Sequence, residues 1–435
     1  MDLAPVLDAF ARARRRGADV RAWSLHATAT RRASLGIKDG QAGNAHAPFT
    51  LSESAAVQYL LVWGNGRVSR GAWERRQVAD GIDRALDDAR LAAYDDPDAA
   101  CVLGPAVFPP VELHAAAAAR AAEGDAADIA ERLAAVRELV ARPRFRTWSG
   151  SFSSAEGTSR VLSSAGLDAS SAGTATSWHV TLNGEIGDGF GARRSETRDA
   201  FLARLGRLAA LTEALGQDAA PGRAPGDTVL LHPRVVEAYV VATLLANLEG
   251  SAVAHGQSHF DRSAFGSDSP AFREDVELRI DPLLPLRLGS YAFTGEGVPG
   301  APSTLVERGR LVRPVLDLKY AKRLGLAPTA QPGAMDTLHF GGAETIGLGE
   351  ALDRAAGGVL VLSVLGVHTQ DPLSGDFSLS APQALYVGPH GFAGRLRATI
   401  SGNLFEILRQ DALAFVAFEG ETTPGLLVRC RLAPS

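Results

Sequence analysis

Residues 227–256 read DTVLLHPRVVEAYVVATLLANLEGSAVAHG. The nearly continuous apolar run predicts a helix over 234–248. His232, next to a proline at the beginning of this run, is interpreted as the residue that starts the helix, rather than as a metal ligand or a base. The ten residues before Asp227 (217–226, QDAAPGRAPG) contain two prolines and two glycines, a composition typical of a linker. A C-terminal unit is therefore predicted to begin at Asp227.

The sequence before this linker alternates between strand and helix patterns. We predict a small antiparallel sheet from the β-rich segments at 20–37 and 55–63, and a helix over 72–92 that packs on it. A proline-punctuated connection and two alanine-rich helices follow, then paired strands within 145–186 and a helix over 201–215. These patterns predict an α+β protein with an N-terminal helix-on-antiparallel-sheet domain (1–216) and a larger, strand-rich C-terminal domain (227–435).

Composition excludes several classes of protein. The chain has 435 residues, of which 46% are hydrophobic, and 44 basic residues against 49 acidic residues give a net charge of −5. This balance favours an ordinary globular protein with neither a nucleic-acid nor a membrane partner. The only cysteines, Cys101 and Cys430, are too far apart for a C-x-x-C motif. Because no secretory signal or apolar run of membrane-spanning length is evident, we expect a cytoplasmic location.

Two groups of residues could carry chemistry by themselves. His255 and His259 stand four apart with Asp261 beyond, a spacing that would converge on a metal ion if the segment were helical. The glycines and serines around them favour a loop, so ordering of the loop is the simpler interpretation. The segment 365–380 (LGVHTQDPLSGDFSLS) is interpreted as a tight turn rather than an acid/base site, because Asp-Pro and Ser-Gly-Asp are turn sequences.

An ordered series of short blocks resembles the TldD/PmbA family, also called the modulator of DNA gyrase family. The blocks are LEGSAV (248–253), FTGEGVP (293–299), LVERGRL (305–311), AKRLG (321–325), SGDFS (374–378) and ISGNL (400–404). Their order and spacing resemble the family over nearly all of 227–435, and the N-terminal half resembles it more loosely. The resemblance implies the fold of that family, whose members are metallopeptidases and their metal-free partner subunits.

The chain departs from the active TldD type at the zinc motif. The family's H-E-x-x-x-H falls on Val241, Ala242 and Ala246 when the helix is placed by the LEG that follows it. Aliphatic side chains provide neither a zinc ligand nor a general base. The C-terminal Cys-Gly-Lys block of the family is also missing, and Cys430 is interpreted as a buried structural thiol.

The resemblance therefore implies a TldE-type (PmbA-type) subunit with no metal or other cofactor in this chain. Zinc would be held by a TldD-type metallopeptidase partner, and the pair would cleave unfolded or leader-type peptides inside a shared chamber. Residues of this chain proposed to shape the chamber are Gly295, Glu296, Gly297, Gly375, Asp376 and Phe377.

Two alternatives remain open at this point. The chain could be a self-sufficient metal-dependent hydrolase that uses His255, His259 and Asp261 as ligands. It could also be a homodimer that binds extended peptides at a sheet edge. If activity requires a TldD-type chain, the TldE-type subunit is favoured over both alternatives.

Overall fold

The structure of the protein is a computed structural model that describes residues 2–17, 19–38, 41–42, 49–219, 226–389 and 391–434. It confirms the α+β class. Of the predicted linker 217–226, residues 220–225 lie outside the described residues. Across the described ranges, no helix is long and apolar enough to cross a membrane.

Helices occur in both halves of the chain. They are α1 (Ala4–Arg15), α2 (Arg75–Asp80), α3 (Ile82–Leu91), α4 (Ala116–Ala122), α5 (Ala127–Val140), α6 (Arg198–Leu215), α7 (Pro233–Val235), α8 (Ala242–Leu248), α9 (Gly250–His255), α10 (Leu318–Leu324), α11 (Leu348–Arg354) and α12 (Leu404–Ile407). A π-helical stretch, Val236–Val241, joins α7 to α8. Residues 233–248 are thus one continuous helix, which confirms the prediction over 234–248.

The N-terminal half contains a seven-stranded antiparallel sheet. Its strands are β1 (Val20–Lys38), β2 (Gln41–Ala42), β3 (Thr50–Trp63), β4 (Val68–Glu74), β5 (Trp148–Ser163), β6 (Asp168–Leu182) and β7 (Ile186–Ala192). The order is β4-β3-β1-β5-β6-β7, with β2 beside β1. Every second side chain of β6 from Thr174 to Leu182 is buried, the pattern of a strand with one face on a core.

The prediction of one helix over 72–92 is wrong at its beginning and in its middle. Residues 72–74 belong to β4, where Trp73 is buried and stacks on Tyr59 with ring centroids 4.1 Å apart. Gly81 interrupts the helical remainder and separates α2 from α3. Cross-strand packing of an aromatic pair has overridden the helical periodicity here.

The C-terminal half has two sheets and the greater number of strands. The strands are β8 (Thr228–Leu231), β9 (Glu277–Ile280), β10 (Ser303–Glu307), β11 (Arg310–Leu311), β12 (Leu338–Gly341), β13 (Thr345–Gly347), β14 (Val359–Leu365), β15 (Asp376–Gly388), β16 (Gly391–Arg395), β17 (Ala398–Asn403), β18 (Ala414–Ala417), β19 (Gly425–Arg429) and β20 (Arg431–Pro434). One sheet has the order β11-β10-β9-β12. The other has the order β13-β18-β19-β8-β14-β15-β17-β20, with β16 beside β15. The helix 233–248 packs its buried side chains into a core formed with strands of both sheets.

A second core lies between the two halves. Helix α6 contributes Phe201 and Leu205 to it, β6 contributes Trp178, and the nine-stranded sheet contributes Leu230 and Leu360. The division into 1–216 and 227–435 remains a prediction, and the two predicted units share this apolar core.

We predict that Phe201→Ala destabilises the fold by about 3–5 kcal/mol, because Phe201 is 1% exposed and its loss leaves a cavity. Its ring lies edge-on to Trp178 with centroids 4.8 Å apart. The matched control is Leu202→Ala, the adjacent side chain on the same helix, which is 38% exposed. Circular dichroism during guanidinium unfolding measures the midpoints. Equal losses in both variants would contradict the assignment of this core.

Candidate functional site

The helix 233–248 begins at His232, as the sequence indicated. His232 Nδ1 accepts a hydrogen bond from the backbone N–H of Arg234 at 3.3 Å. Burial, followed by the positive charge of Arg234, lowers the pKa of His232 to about 3. The neutral imidazole therefore acts as a helix cap.

The three positions of the family's zinc motif lie on two faces of this helix. Val241 is 1% exposed and belongs to the core, whereas Ala242 and Ala246 are exposed, four residues apart on the same face. A methyl or isopropyl group offers no lone pair, so these residues do not fit a zinc ion. Among the described residues, no group of three His, Cys, Asp or Glu side chains is arranged to hold a metal ion.

The carboxyl end of the helix is held by Asn247, which sequence analysis did not single out. Its Nδ2 donates to the Pro372 carbonyl at 2.8 Å, and its Oδ1 accepts from the backbone N–H of His259 at 2.7 Å. One buried amide thus ties two loops to the helix. The available sequence signal was a lone amide within an apolar helical run.

The structure gives His255, His259 and Asp261 separate surroundings. His255 Nε2 accepts from Arg323 Nη1 at 3.3 Å. His259 Nδ1 donates to the Leu373 carbonyl at 3.0 Å, while its ring stacks on Phe405 with centroids 3.9 Å apart. Asp261 precedes a short 3-10 turn, Arg262–Ala264. His255, the last residue of α9, thus contacts α10, whereas the contacts of His259 order the loop after α9. The three side chains are not brought together as a ligand set.

The segment Gly375, Asp376 and Phe377 contacts the helix 233–248 through the ring of Phe377. Gly375 has φ +74°, and a Cβ there would lie 2.4 Å from Phe405 Cδ2, so both conformation and space require glycine. Asp376 Oδ1 accepts from Asn403 Nδ2 at 2.9 Å. Phe377 is buried edge-on to Tyr239 of the helix, with centroids 5.3 Å apart. Phe377 thus supports the helix, whereas Gly375 and Asp376 join this segment to Phe405 and Asn403.

The turn predicted just before this segment is present. Asp371 Oδ1 accepts from the backbone N–H of Leu373 at 3.0 Å, and the hydroxyl of Ser374 accepts from the backbone N–H of Asp376 at 3.1 Å. Both side chains therefore serve the local backbone, as the interpretation of a tight turn requires.

Gly295, Glu296 and Gly297 form a tight turn at the wall of a cavity. Gly297 donates its N–H to the Thr294 carbonyl at 2.9 Å and has φ +84°. The Glu296 carboxylate accepts from the backbone N–H of Leu318 at 2.9 Å and lies 3.3 Å from Arg70 Nη1. Burial raises the pKa of Glu296, and these two donors oppose the shift.

The cavity has a volume of about 780 Å³ and lies between the N-terminal sheet and the segment that contains Glu296. His26, Tyr59 and Arg70 line one side, and Tyr291 and Glu296 line the other. Such a volume is in the range of small-molecule and cofactor sites, about 300–1,000 Å³. The residues on opposite sides are more than two hundred positions apart in the chain, so local sequence motifs could not have predicted the cavity.

The two cysteines differ in their surroundings. Cys101 lines the cavity, and its Sγ donates to the Asp98 carbonyl at 3.1 Å. Cys430 follows β19, where burial raises the pKa of its thiol to about 12. This environment agrees with a structural thiol at Cys430.

Comparisons with known proteins agree on one fold. Residues 226–425 match the family model described as the PmbA/TldA metallopeptidase C-terminal domain. TldE from Thermococcus kodakarensis has a similar structure, with a TM-score of 0.77 and 16% identity over 99% of this chain and 100% of that chain. A candidate modulator of DNA gyrase from Bacteroides thetaiotaomicron gives a TM-score of 0.77 and 17% identity, over 99% of this chain and 98% of that chain. An uncharacterised protein of Methanocaldococcus jannaschii is 24% identical over 292 residues, 66% of this chain and 68% of the relative.

We predict that the variant His232→Asn loses less stability than the parent protein when the pH is lowered from 7 to 5. Folded His232 stays neutral down to pH about 3, whereas in the unfolded chain it takes up a proton below about pH 6.5. The unfolded state therefore binds more protons, and the parent protein loses about 2 kcal/mol more than the variant between pH 7 and pH 5. Asparagine keeps a side-chain acceptor at the helix cap.

Guanidinium unfolding of both proteins at pH 5 and pH 7 provides the measurement. His339→Asn, the loss of an exposed histidine, is the matched control and is expected to keep the pH dependence of the parent. Parallel pH dependences for the parent and His232→Asn would refute the buried, neutral state of His232.

Proposed function

This chain belongs to the TldD/PmbA family, and from that premise we propose that it is the non-catalytic, TldE-type subunit of a heteromeric metallopeptidase. The catalytic zinc of such a complex would be held by a TldD-type partner. The complex would cleave unfolded or leader-type peptides.

The chemistry of one helix carries this proposal. At the positions of the zinc motif the chain has Val241, Ala242 and Ala246, which can neither coordinate zinc nor accept a proton from a water molecule. Val241 is also part of the core, so a polar ligand in its place would have to be buried. This chain therefore contributes surface and shape to the complex, and the partner contributes the reaction.

The packing around the helix supports a non-catalytic role. Tyr239, Leu244 and Leu248 belong to one apolar core, and Asn247 holds the carboxyl end by hydrogen bonds. The helix is thus stabilised by burial and by polar contacts at both ends. Such a helix needs no metal ion to keep its place.

We predict that the purified chain, stripped with chelator and reconstituted with zinc, retains far less than one zinc per chain, because none of the three motif positions offers a ligand. Elemental mass spectrometry against protein concentration measures the ratio, and a TldD-type protein from the same genome serves as the positive control. A ratio near one would contradict the proposal. In that case loss of zinc from His255→Ala and His259→Ala would support the self-sufficient hydrolase.

We further predict that peptidase activity on an unfolded protein substrate requires both this chain and the TldD-type protein. Size-exclusion chromatography tests for a heteromeric complex, and activity is compared among each protein alone and the mixture. Replacement of the glutamate in the partner's H-E-x-x-x-H motif by glutamine should abolish activity without preventing assembly. Activity of this chain alone, or equal activity of the partner with and without it, would refute the proposed role.

A further inference from the structure

The cavity beside Glu296 has an excess of negative charge. Two carboxylates line it, Glu296 and Asp317, against one guanidinium, Arg70. The imidazole of His26 adds no compensating charge, because burial lowers its pKa. Arg70 is itself paired with Glu296 and also approaches the Ala99 carbonyl, at 3.4 Å.

The basic residues of the neighbouring helix α10 have partners outside the cavity. Lys319 lies 2.6 Å from Asp96, and Arg323 Nε donates to Asp98 at 2.9 Å. Lys322 donates to the Pro97 carbonyl. The charges of Lys319 and Arg323 are thus compensated by carboxylates of the segment 96–98. Lys322 meets only a carbonyl there, and its charge still acts on Cys101 in the cavity lining, where burial nevertheless raises the pKa of the thiol.

Both carboxylates keep capacity for another donor. Asp317 Oδ1 accepts from the backbone N–H of Tyr320 at 2.7 Å, and no hydrogen bond to a described residue occupies Oδ2. Each Glu296 oxygen has one neighbouring donor, whereas a carboxylate offers about four acceptor positions. Burial has made the charged form of Glu296 costly, so a cationic ligand would gain by neutralising it.

Aromatic side chains and glycines shape the remaining walls. Tyr59, Tyr291 and Phe293 line the cavity, and aromatic faces attract organic cations as well as alkyl chains. The cavity passes close to two glycines. A Cβ on Gly71 would lie 2.6 Å from the Tyr59 hydroxyl, and one on Gly295 would lie 2.8 Å from His26 Nδ1.

From this combination we propose that the cavity binds the basic side chain of an extended peptide, with its cationic head at Glu296 and Asp317 and its alkyl stem against the aromatic rings. The volume of about 780 Å³ also leaves room for flanking backbone. The choice of a peptide as ligand rests on the proposed function, whereas the preference for a cation rests on the charges of this chain.

Cys101 supplies a reporter in the unmodified protein. It lines the cavity, whereas the other cysteine, Cys430, is in a different part of the fold. Burial raises the pKa of both thiols, that of Cys430 to about 12. Alkylation by N-ethylmaleimide, followed by peptide mass mapping, gives a rate for each thiol. A ligand in the cavity should slow the reaction of Cys101 and leave that of Cys430 unchanged.

The probe is Ac-Ala-Ala-Lys-Ala-Ala-NH2, compared with the same peptide carrying norleucine or glutamate in place of lysine. We expect saturating lysine peptide to slow alkylation of Cys101 about fivefold or more, with the norleucine peptide weaker and the glutamate peptide weakest. Calorimetric titration of the same peptides gives the affinities. Equal protection by lysine and glutamate peptides, or none at millimolar peptide, would overturn the inference.

Two conservative variants test the carboxylates. Glu296→Gln keeps an acceptor for the N–H of Leu318, and Asp317→Asn keeps the cap of α10. Each is expected to weaken the lysine peptide about tenfold and to change the norleucine peptide little. Glu344→Gln, an exposed carboxylate outside the cavity lining, is the matched control and should change neither.

A further variant keeps both carboxylates. Ala72→Trp adds bulk at an exposed position of β4 that lines the cavity, and it should abolish protection by the lysine peptide. Thermal unfolding of every variant checks that the fold is kept. Unchanged affinity in Glu296→Gln, Asp317→Asn and Ala72→Trp would overturn the location of the site.

The test of the cavity and the test of the proposed function can fail independently of each other. Complex formation with the TldD-type protein is measured without the peptides, and peptide binding is measured on this chain alone. A complex that forms and cleaves while this chain binds no lysine peptide would overturn the cavity assignment and leave the subunit role intact. Selective binding of the lysine peptide without association with the TldD-type protein would support the cation site and refute the subunit role.

Discussion

The joining of the two halves depends on helix α6 and on one largely buried cation of that helix. Arg204 of α6 is 11% exposed and lies 3.5 Å from Asp188, 3.6 Å from Glu196 and 3.2 Å from Glu421. These carboxylates belong to β7, to the segment before α6 and to the turn after β18. A buried charge is tolerated only where it is paired, so all three segments must meet at this point for the protein to fold.

The ion pairs at Asp188 also determine where the helix 233–248 lies. Arg234, in the first turn after His232, pairs with the same Asp188 of β7 and donates to the Gly187 carbonyl. The amino end of the helix is therefore held by the N-terminal sheet, while Asn247 binds its carboxyl end to the loops at His259 and Pro372. Polar contacts hold both ends, and apolar burial holds the middle. The helix is therefore held along its whole length.

The sequence predicts features that depend on neighbouring residues, and it fails where a feature depends on residues that are distant in the chain. Local signals were sufficient for the helix over 234–248, for the cap at His232 and for the turn at Asp371, because each depends on neighbouring residues. The buried face of the helix was not predictable, since apolar residues occur on all its sides and a π-helical stretch shifts its periodicity. The family resemblance nominated Glu296 as a chamber residue, which stays a prediction, and its pairing with Arg70 depends on strands and turns that are distant in the chain. Periodicity also failed at Trp73, where a cross-strand aromatic contact decides between helix and strand.

A zinc-binding helix and an aliphatic one make different demands on the surrounding fold. Ligands must be deprotonated, desolvated and held by further hydrogen bonds, so a metal site requires polar groups behind it. Behind the helix of this chain, Val236, Val240 and Val241 instead meet an apolar core that includes Leu278 and Ile400. A histidine at position 241 would place an imidazole among those side chains, where a buried polar group costs free energy unless it is paired. Placing the H-E-x-x-x-H side chains at 241, 242 and 246 would therefore not by itself make a zinc site, because position 241 lies in an apolar core.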